Sequence, residues 1–280
     1  MPNSTSLIRR LADLRSQYTG ETDSAVLPAI CHGTTLLTRE DRAQVLDALD
    51  GDGPLPEHIR RAILPDASTV DQQELEAAVL RAASRAVHLA ANPLTDKVFR
   101  MSRPLPDQLV LHLAPQALRP LVQELLPLET EDGLDGYPCL RARMYRRHVE
   151  LHVPGASVHL ANVSYTSWQF ASEGRWTGND ADPPTPAELD ALAHRGCGRT
   201  SPATASALLR RICLFPVQPL VIATPEACYL DWAGEPNHEL VRERLDHPLT
   251  GVPVRQRIVL LGARERLPAR VSGQPPSLSC

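Results

Sequence analysis

Between Arg147 and Leu160 the chain reads Arg-His-Val-Glu-Leu-His-Val-Pro-Gly-Ala-Ser-Val-His-Leu, with polar and apolar residues alternating on both sides of Pro154-Gly155. Alternation of period two marks strands whose two faces differ, and a Pro-Gly step between two such runs predicts a hairpin. With Pro154 and Gly155 as the loop, Leu151 faces Val158 and Val149 faces Leu160, while Glu150 faces His159 and His152 faces Ser157. A slip of one residue would mix apolar with ionisable partners, which favours this register. A Pro-Gly pair suits a type II turn, whereas two-residue hairpins prefer the primed types, so a longer loop is the alternative.

The hairpin gathers His148, Glu150, His152 and His159 on one face. Imidazoles and a carboxylate are the ligands of catalytic zinc or non-haem iron, so a metal-dependent enzyme is one expectation. Residues four apart on a strand are separated by about 13 Å at roughly 3.3 Å per residue, too far for His148 and His152 to share an ion. Such a site would use Glu150, His159 and either His148 or His152, with a further ligand from elsewhere. The alternatives are a polar binding surface, or a solvated face whose cross-strand His–Glu pair contributes about 0.2–1 kcal/mol. The order His-Val-Glu-Leu-His is not the helical H-E-x-x-H of zinc proteases.

Just upstream, Arg141, Arg143, Arg146 and Arg147, with Tyr145 and His148, form a concentrated basic patch. Guanidinium groups grip phosphates and a tyrosine ring stacks on a base, so nucleic acid is the second expectation. The alternative is an Arg-rich outer sheet face balanced by Glu129, Glu131 and Asp132. The formal net charge of −4 gives the whole chain no attraction to polyanions, so such binding must be local. Lys97 is the only lysine among 29 basic residues, and with 26 prolines this points to the coding bias of a high-GC bacterium.

Other chemistries lack a local motif. The chain has no G-x-x-x-x-G-K, G-x-G-x-x-G or G-x-S-x-G, and its six cysteines include no C-x-x-C pair. Asp231 and His238 with a distant serine, or the adjacent Cys31-His32, lack any sequence indication of hydrogen-bond geometry. Trp168 and Trp176 are interface anchors or core residues. No catalytic residue is assigned on this basis.

The elements that would carry these groups follow from periodicity. Leu7, Leu11, Leu14 and Tyr18 recur at helical spacing and Gly20 suits a left-handed stop; Thr22 or Asp23 then caps a second helix limited or kinked by Pro28. The stretch Tyr18-Thr19-Gly20-Glu21-Thr22 resembles the inter-helix turn of some ribbon-helix-helix antitoxins, but the DNA-reading strand of that family is not evident in Met1–Ser6 and its function is not carried over. Further helices are expected behind Thr38, over Glu57–Leu64 and over Asp71–Ala90, the last with Glu76, Arg81, Ser84, Arg85 and His88 away from its apolar stripe. After Pro104 come a strand at Leu109–Leu113, a helix over Ala114–Leu126 and a polar loop at Glu129–Gly136. Beyond the central hairpin lie a linker at Asn179–Pro186, helices at Ala187–His194 and Ser201–Ile212, and a hairpin over Leu220–Leu230. A helix at Glu239–Leu245 and a strand at Ile258–Leu261 complete the series.

The expected fold is α+β: a helical region over 1–103, a mixed, mainly antiparallel sheet with several helices over 104–266, and a frayed tail over 267–280. No apolar run of about 18 residues could cross a bilayer, and the first residues lack a signal-peptide core, so a cytoplasmic protein without a membrane partner is expected. The preferred function is a non-enzymatic interaction or regulatory protein with a protein partner.

Overall fold

The computed structural model describes residues 4–51, 53–88, 97–131, 133–175, 177–178, 182–194, 201–223, 227–232, 236–253 and 257–261. The expected tail, Trp176 and the turn at 224–226 lie outside the described residues. Within them the chain is α+β, with mixed sheets whose strands are mostly antiparallel. No described helix is long and apolar enough to cross a membrane.

The chain opens with α1 (Ser4–Thr19) and α2 (Asp23–Thr35), joined at Gly20 with a φ of 70°, the left-handed stop expected there. Pro28 neither begins nor ends α2 but lies inside it. The next helix, α3 (Arg39–Leu49), starts in a capping box, Asp41 N donating to Thr38 Oγ1 and Thr38 N to the Asp41 carboxylate. After α4 (Glu57–Ile63) and α5 (Val70–His88) come β1 (Phe99–Leu105), β2 (Gln108–Leu113), a 3₁₀ turn and α6 (Leu118–Leu125). A small hairpin of β3 (Leu128–Thr130) and β4 (Gly133–Asp135) precedes β5 (Arg141–Met144), β6 (His148–Val153) and β7 (Ala156–Ala161). The remainder is α7 (Tyr165–Ser172), α8 (Pro186–Ala193), α9 (Pro202–Arg210), β8 (Leu220–Ala223), β9 (Ala227–Asp231), α10 (His238–Asp246) and β10 (Arg257–Leu261).

Five strands form the main sheet in the order β1-β2-β7-β6-β5, with β2 and β7 parallel and the other neighbours antiparallel. A second sheet has the order β10-β9-β8. The β6–β7 register pairs Val149 with Leu160, Glu150 with His159, Leu151 with Val158 and His152 with Ser157, as the alternation requires. Val153 pairs with Ala156, so the loop has two residues, and Gly155 at φ 82° supplies the positive φ that a type II turn needs.

Several elements depart from expectation, among them α7, a helix that was not expected and that Ser164 caps. Strand structure begins at Phe99, before Pro104, and Pro104 sits within β1, an edge strand where a missing N–H is tolerated. The stretch expected as a polar loop holds the β3–β4 hairpin. Glu76 and Ser84, expected on the solvent side of α5, are buried.

That burial has a cause in α9. The Glu76 carboxylate accepts from Arg210 Nε at 2.8 Å and Nη2 at 2.6 Å, from Ser206 Oγ at 2.6 Å and from Gln72 Nε2 at 2.8 Å. Arg210 Nη1 reaches the carbonyls of Pro65 and Leu105, and Ser102 Oγ in β1 donates to the Arg210 carbonyl. Gln72 in turn exchanges two hydrogen bonds with the Ser157 backbone in β7. Around this network the larger apolar cluster fills the space between α5, α6, α9 and one face of the main sheet. A smaller cluster joins α1 to α4 with Leu249.

Removing one member of a buried pair leaves the other charged and unmatched in a low dielectric, at a cost of about 3–5 kcal/mol. Glu76→Met and Arg210→Met are each expected to destabilise the fold by about 3–5 kcal/mol in urea unfolding. The double variant Glu76→Met/Arg210→Met should lose less than the sum, and additive losses would contradict the coupling.

Candidate functional site

The main sheet has one apolar and one polar face. Leu109, Leu111, Val149, Leu151, Val158 and Leu160 are buried against the helices. The intervening residues project to the other side, where the strand registers align them in rows. One row runs Arg103, Val110, His159, Glu150, Arg143, and the next runs Met101, His112, Ala161, His148. Ala161 is small, leaving His148 and His112 as the ring-bearing positions of that second row.

Contacts tie this face together. Arg143 Nη1 and the Tyr145 hydroxyl each donate to Glu150 Oε2 at 3.0 Å. Glu150 Oε1 lies 3.7 Å from His159 Nε2, and the Gln108 amide meets the same imidazole nitrogen. Tyr145 stacks on His148 at 4.5 Å between centroids, and His148 stacks on His159 at 4.9 Å, both pairs within 11° of parallel. The result is a three-ring stack whose outer member, Tyr145, is 40% exposed.

The structure therefore brings His148, Glu150 and His159 together, but not as ligands around a common centre. Ring nitrogen lone pairs lie in the ring plane, so the parallel His148 and His159 rings turn their faces to each other rather than converging on an ion. His152 is a row away, opposite Arg141. Among the described residues no group of three or more His, Cys, Asp or Glu is placed to hold a metal ion. Among the described residues the expected zinc or iron set is not brought together around one centre.

The basic patch also divides. Arg141 and Arg143 share a face, but Arg141 is buried under α8, its Nη1 2.9 Å from Glu188 Oε1 and its Nη2 3.1 Å from Oε2. The Glu188 carboxylate also accepts from the backbone N–H groups of Cys139 and Thr185, the latter as part of the capping box of α8. Arg141 is thus a structural clamp and leaves the expected phosphate-binding set. Arg143 is half-exposed and bound to Glu150. Arg146 and Arg147 stand exposed in the turn between β5 and β6, with no ion pair among the described residues. Backbone bonds hold this turn, Tyr145 N to His148 O at 2.9 Å and Asn162 N to Arg147 O at 2.8 Å.

Other sequence candidates are occupied elsewhere. His238 Nε2 lies 2.7 Å from the Leu261 carbonyl and its ring stacks on Trp232, so it does not face a serine. Trp168 is a core residue of α7. Burial pushes the Cys213 thiol up to about 11 and the Cys228 thiol up to about 12, which keeps both protonated and unreactive at neutral pH.

Gln108 and His112 belong to this face although no motif singles them out. They sit in Gln108–Leu113, a run that reads as a buried apolar strand, and only the half-burial of Gln108, Val110 and His112 against the full burial of Leu109 and Leu111 separates the two sides.

Burial lowers the pKa of His159, with Glu150 opposing and His148 reinforcing, and lowers that of His112, with Arg103 reinforcing. Burial also lowers that of His247. In all three the shift favours the neutral imidazole. A histidine whose folded pKa lies below its unfolded value near 6.5 contributes stability that is present above that pH and lost as the pH falls below it. For Glu188, burial raises the pKa, but Arg141 and the two backbone donors outweigh it and hold the carboxyl below 4.5, so its contribution is present above pH 4.5 and lost as the pH falls further. The urea midpoint should therefore decline from about pH 7.5 to pH 5, with a second loss below about pH 4.5. His159→Gln should reduce the first decline. Glu188→Gln should destabilise by about 3 kcal/mol at neutral pH and reduce the second. A midpoint unchanged between about pH 7.5 and pH 5 would contradict this assignment.

With this geometry in hand, comparison with protein families, curated proteins and solved structures returns no significant match for the chain.

Proposed function

We propose that the protein is a non-enzymatic binding protein whose polar sheet face takes up single-stranded nucleic acid. The observation that carries this reading is the ring stack of His159, His148 and Tyr145, ending at an exposed tyrosine beside the exposed Arg146 and Arg147. A sheet that presents an exposed tyrosine ring next to exposed guanidinium groups offers a flexible strand one stacking platform and a cationic flank. A base stacks for about 1–3 kcal/mol, and the guanidinium groups supply contacts for its phosphates. Stacking on His148 also presets the Tyr145 ring, so less side-chain entropy is lost when a base lands on it.

The net charge of −4 does not oppose this use. Charges further than about 8–10 Å are screened at physiological ionic strength, so a phosphate beside Arg146 and Arg147 responds to its immediate neighbours. Glu150 is the nearby acid, and it is matched by Arg143 and the Tyr145 hydroxyl. We read its role as regulatory, the protein holding a strand without cutting or modifying it.

Fluorescence anisotropy with a labelled oligonucleotide of about ten residues tests the reading. Binding should be seen at low salt and fall as salt rises, with duplex of the same sequence bound more weakly. Tyr145→Ala should weaken binding about fivefold or more, and Tyr145→Phe, which keeps the ring, should not. Arg146→Glu/Arg147→Glu should abolish it. No anisotropy change at about 50 mM salt, or Tyr145→Ala binding like the parent, would overturn the proposal.

A further inference from the structure

A cavity of about 420 Å³ opens at the C-terminal ends of the adjacent parallel strands β2 and β7, where their chains leave for α6 and α7. This is where open sheets with parallel strands commonly hold ligands, and the volume falls within the range of small-molecule sites. Its polar lining comes from Arg100, His112, Asn162 and Ser167, and Met101, Leu113 and Leu118 supply apolar wall.

Each polar group is held in place or left available. Arg100 is exposed and its guanidinium has no ion pair or hydrogen bond among the described residues. Its backbone is pinned, because Cys213 Sγ donates to its carbonyl at 3.4 Å and Gly20 packs so close that a Cβ there would come within 2.8 Å of the same oxygen. The His112 ring is half-buried, and its Nδ1 lies 3.3 Å from the Asn162 amide nitrogen. With Nδ1 accepting from that amide, the ring proton resides on Nε2, so the neutral imidazole keeps a donor. Asn162 makes this contact from a left-handed backbone with φ 59°, a conformation that costs a non-glycine residue energy and is tolerated best by asparagine.

We propose that this cavity is a binding site for a small organic anion, with an oxyanion head held by Arg100 and the donors around His112, and an apolar body against Met101, Leu113 and Leu118. A free guanidinium recognises a carboxylate or a phosphate monoester through paired N–H donors, and these share the head-group chemistry the site requires. The apolar wall selects against a bare inorganic ion, which would leave it wet. The site is separate from the Tyr145 end of the face and does not depend on nucleic-acid binding there.

The test is titration calorimetry of the full chain with benzoate, phenyl phosphate and inorganic phosphate, together with nuclear magnetic resonance of the His112 ring. At least one aryl anion should bind saturably, about tenfold or more tighter than inorganic phosphate, and shift the His112 ring signals. Tighter benzoate identifies a carboxylate site, and tighter phenyl phosphate a phosphate monoester site. Arg100→Gln, a change at an exposed position, should weaken binding about tenfold or more and leave oligonucleotide binding at Tyr145 unchanged. Failure of both aryl anions to saturate, inorganic phosphate binding equally well, unmoved His112 signals, or an Arg100→Gln protein binding as the parent would each overturn the proposal.

Discussion

Taking a carboxylate and a guanidinium out of water costs several kcal/mol per ion even after relaxation, and Glu76 and Arg210 are both fully buried. Such a pair persists only where nearly every lone pair and N–H is matched, and here the matching partners come from elements far apart in the chain. Ser206 and Arg210 belong to α9, Gln72 to α5, Pro65 to the segment before α5, and Leu105 to the end of β1. Satisfying the pair therefore sets α9 against α5, and the Gln72 bonds to Ser157 set α5 against β7. Apolar packing around the network is permissive about angle and register, whereas the hydrogen bonds are not, so the network specifies the arrangement that the apolar surface stabilises.

Other buried arginines act in the same way at the edges of the molecule. Arg15 in α1 grips Glu21 and the carbonyls of Ile63 and Pro104, which fixes the helical layer to β1. Arg211 reaches Asp66 and the Thr250 carbonyl, and Arg141 with Glu188 anchors α8 over the start of β5. Guanidinium suits these joints because its planar fork can serve a carboxylate and one or two carbonyls at once, which an ammonium cannot match in plane. Several of the arginines in this lysine-poor chain are thus spent on architecture. Arg100, Arg146 and Arg147 remain at the surface without such commitments.

How far the sequence was legible follows from the same distinction. The β6–β7 hairpin could be read to the residue because alternation and the Pro-Gly step are local, and the apolar stripe of α5 was readable for the same reason. Glu76 was not, since a charged residue at helical spacing reads as solvent-facing until a partner 134 residues away is known. Arg141 likewise reads as part of a basic run, because Glu188, which buries it, lies 47 residues on. His112 was hidden by its leucine neighbours, and β1 by a proline that only an edge strand accommodates. The misread charged residues, Glu76 and Arg141, owe their environment to a long-range contact. Val149, Leu151, Val158 and Leu160, whose burial period alone announces, lie in the core.

The histidine face shows how ring orientation, rather than ring count, decides what a cluster of imidazoles can do. To bind a metal, the rings must converge edge-on, because the donor lone pairs lie in their planes. To bind a base, they must present their faces. His148 and His159 are within 11° of parallel and already cover one another, and Tyr145 extends the same stack outward. The Nε2 of His159 is engaged by Gln108, and the nearby carboxylate of Glu150 is drawn towards Arg143 and the Tyr145 hydroxyl. Those contacts hold the rings in register and neutralise the acid beside them. What this end of the sheet offers a ligand is therefore the outermost aromatic ring of an ordered stack, next to the exposed cations of Arg146 and Arg147.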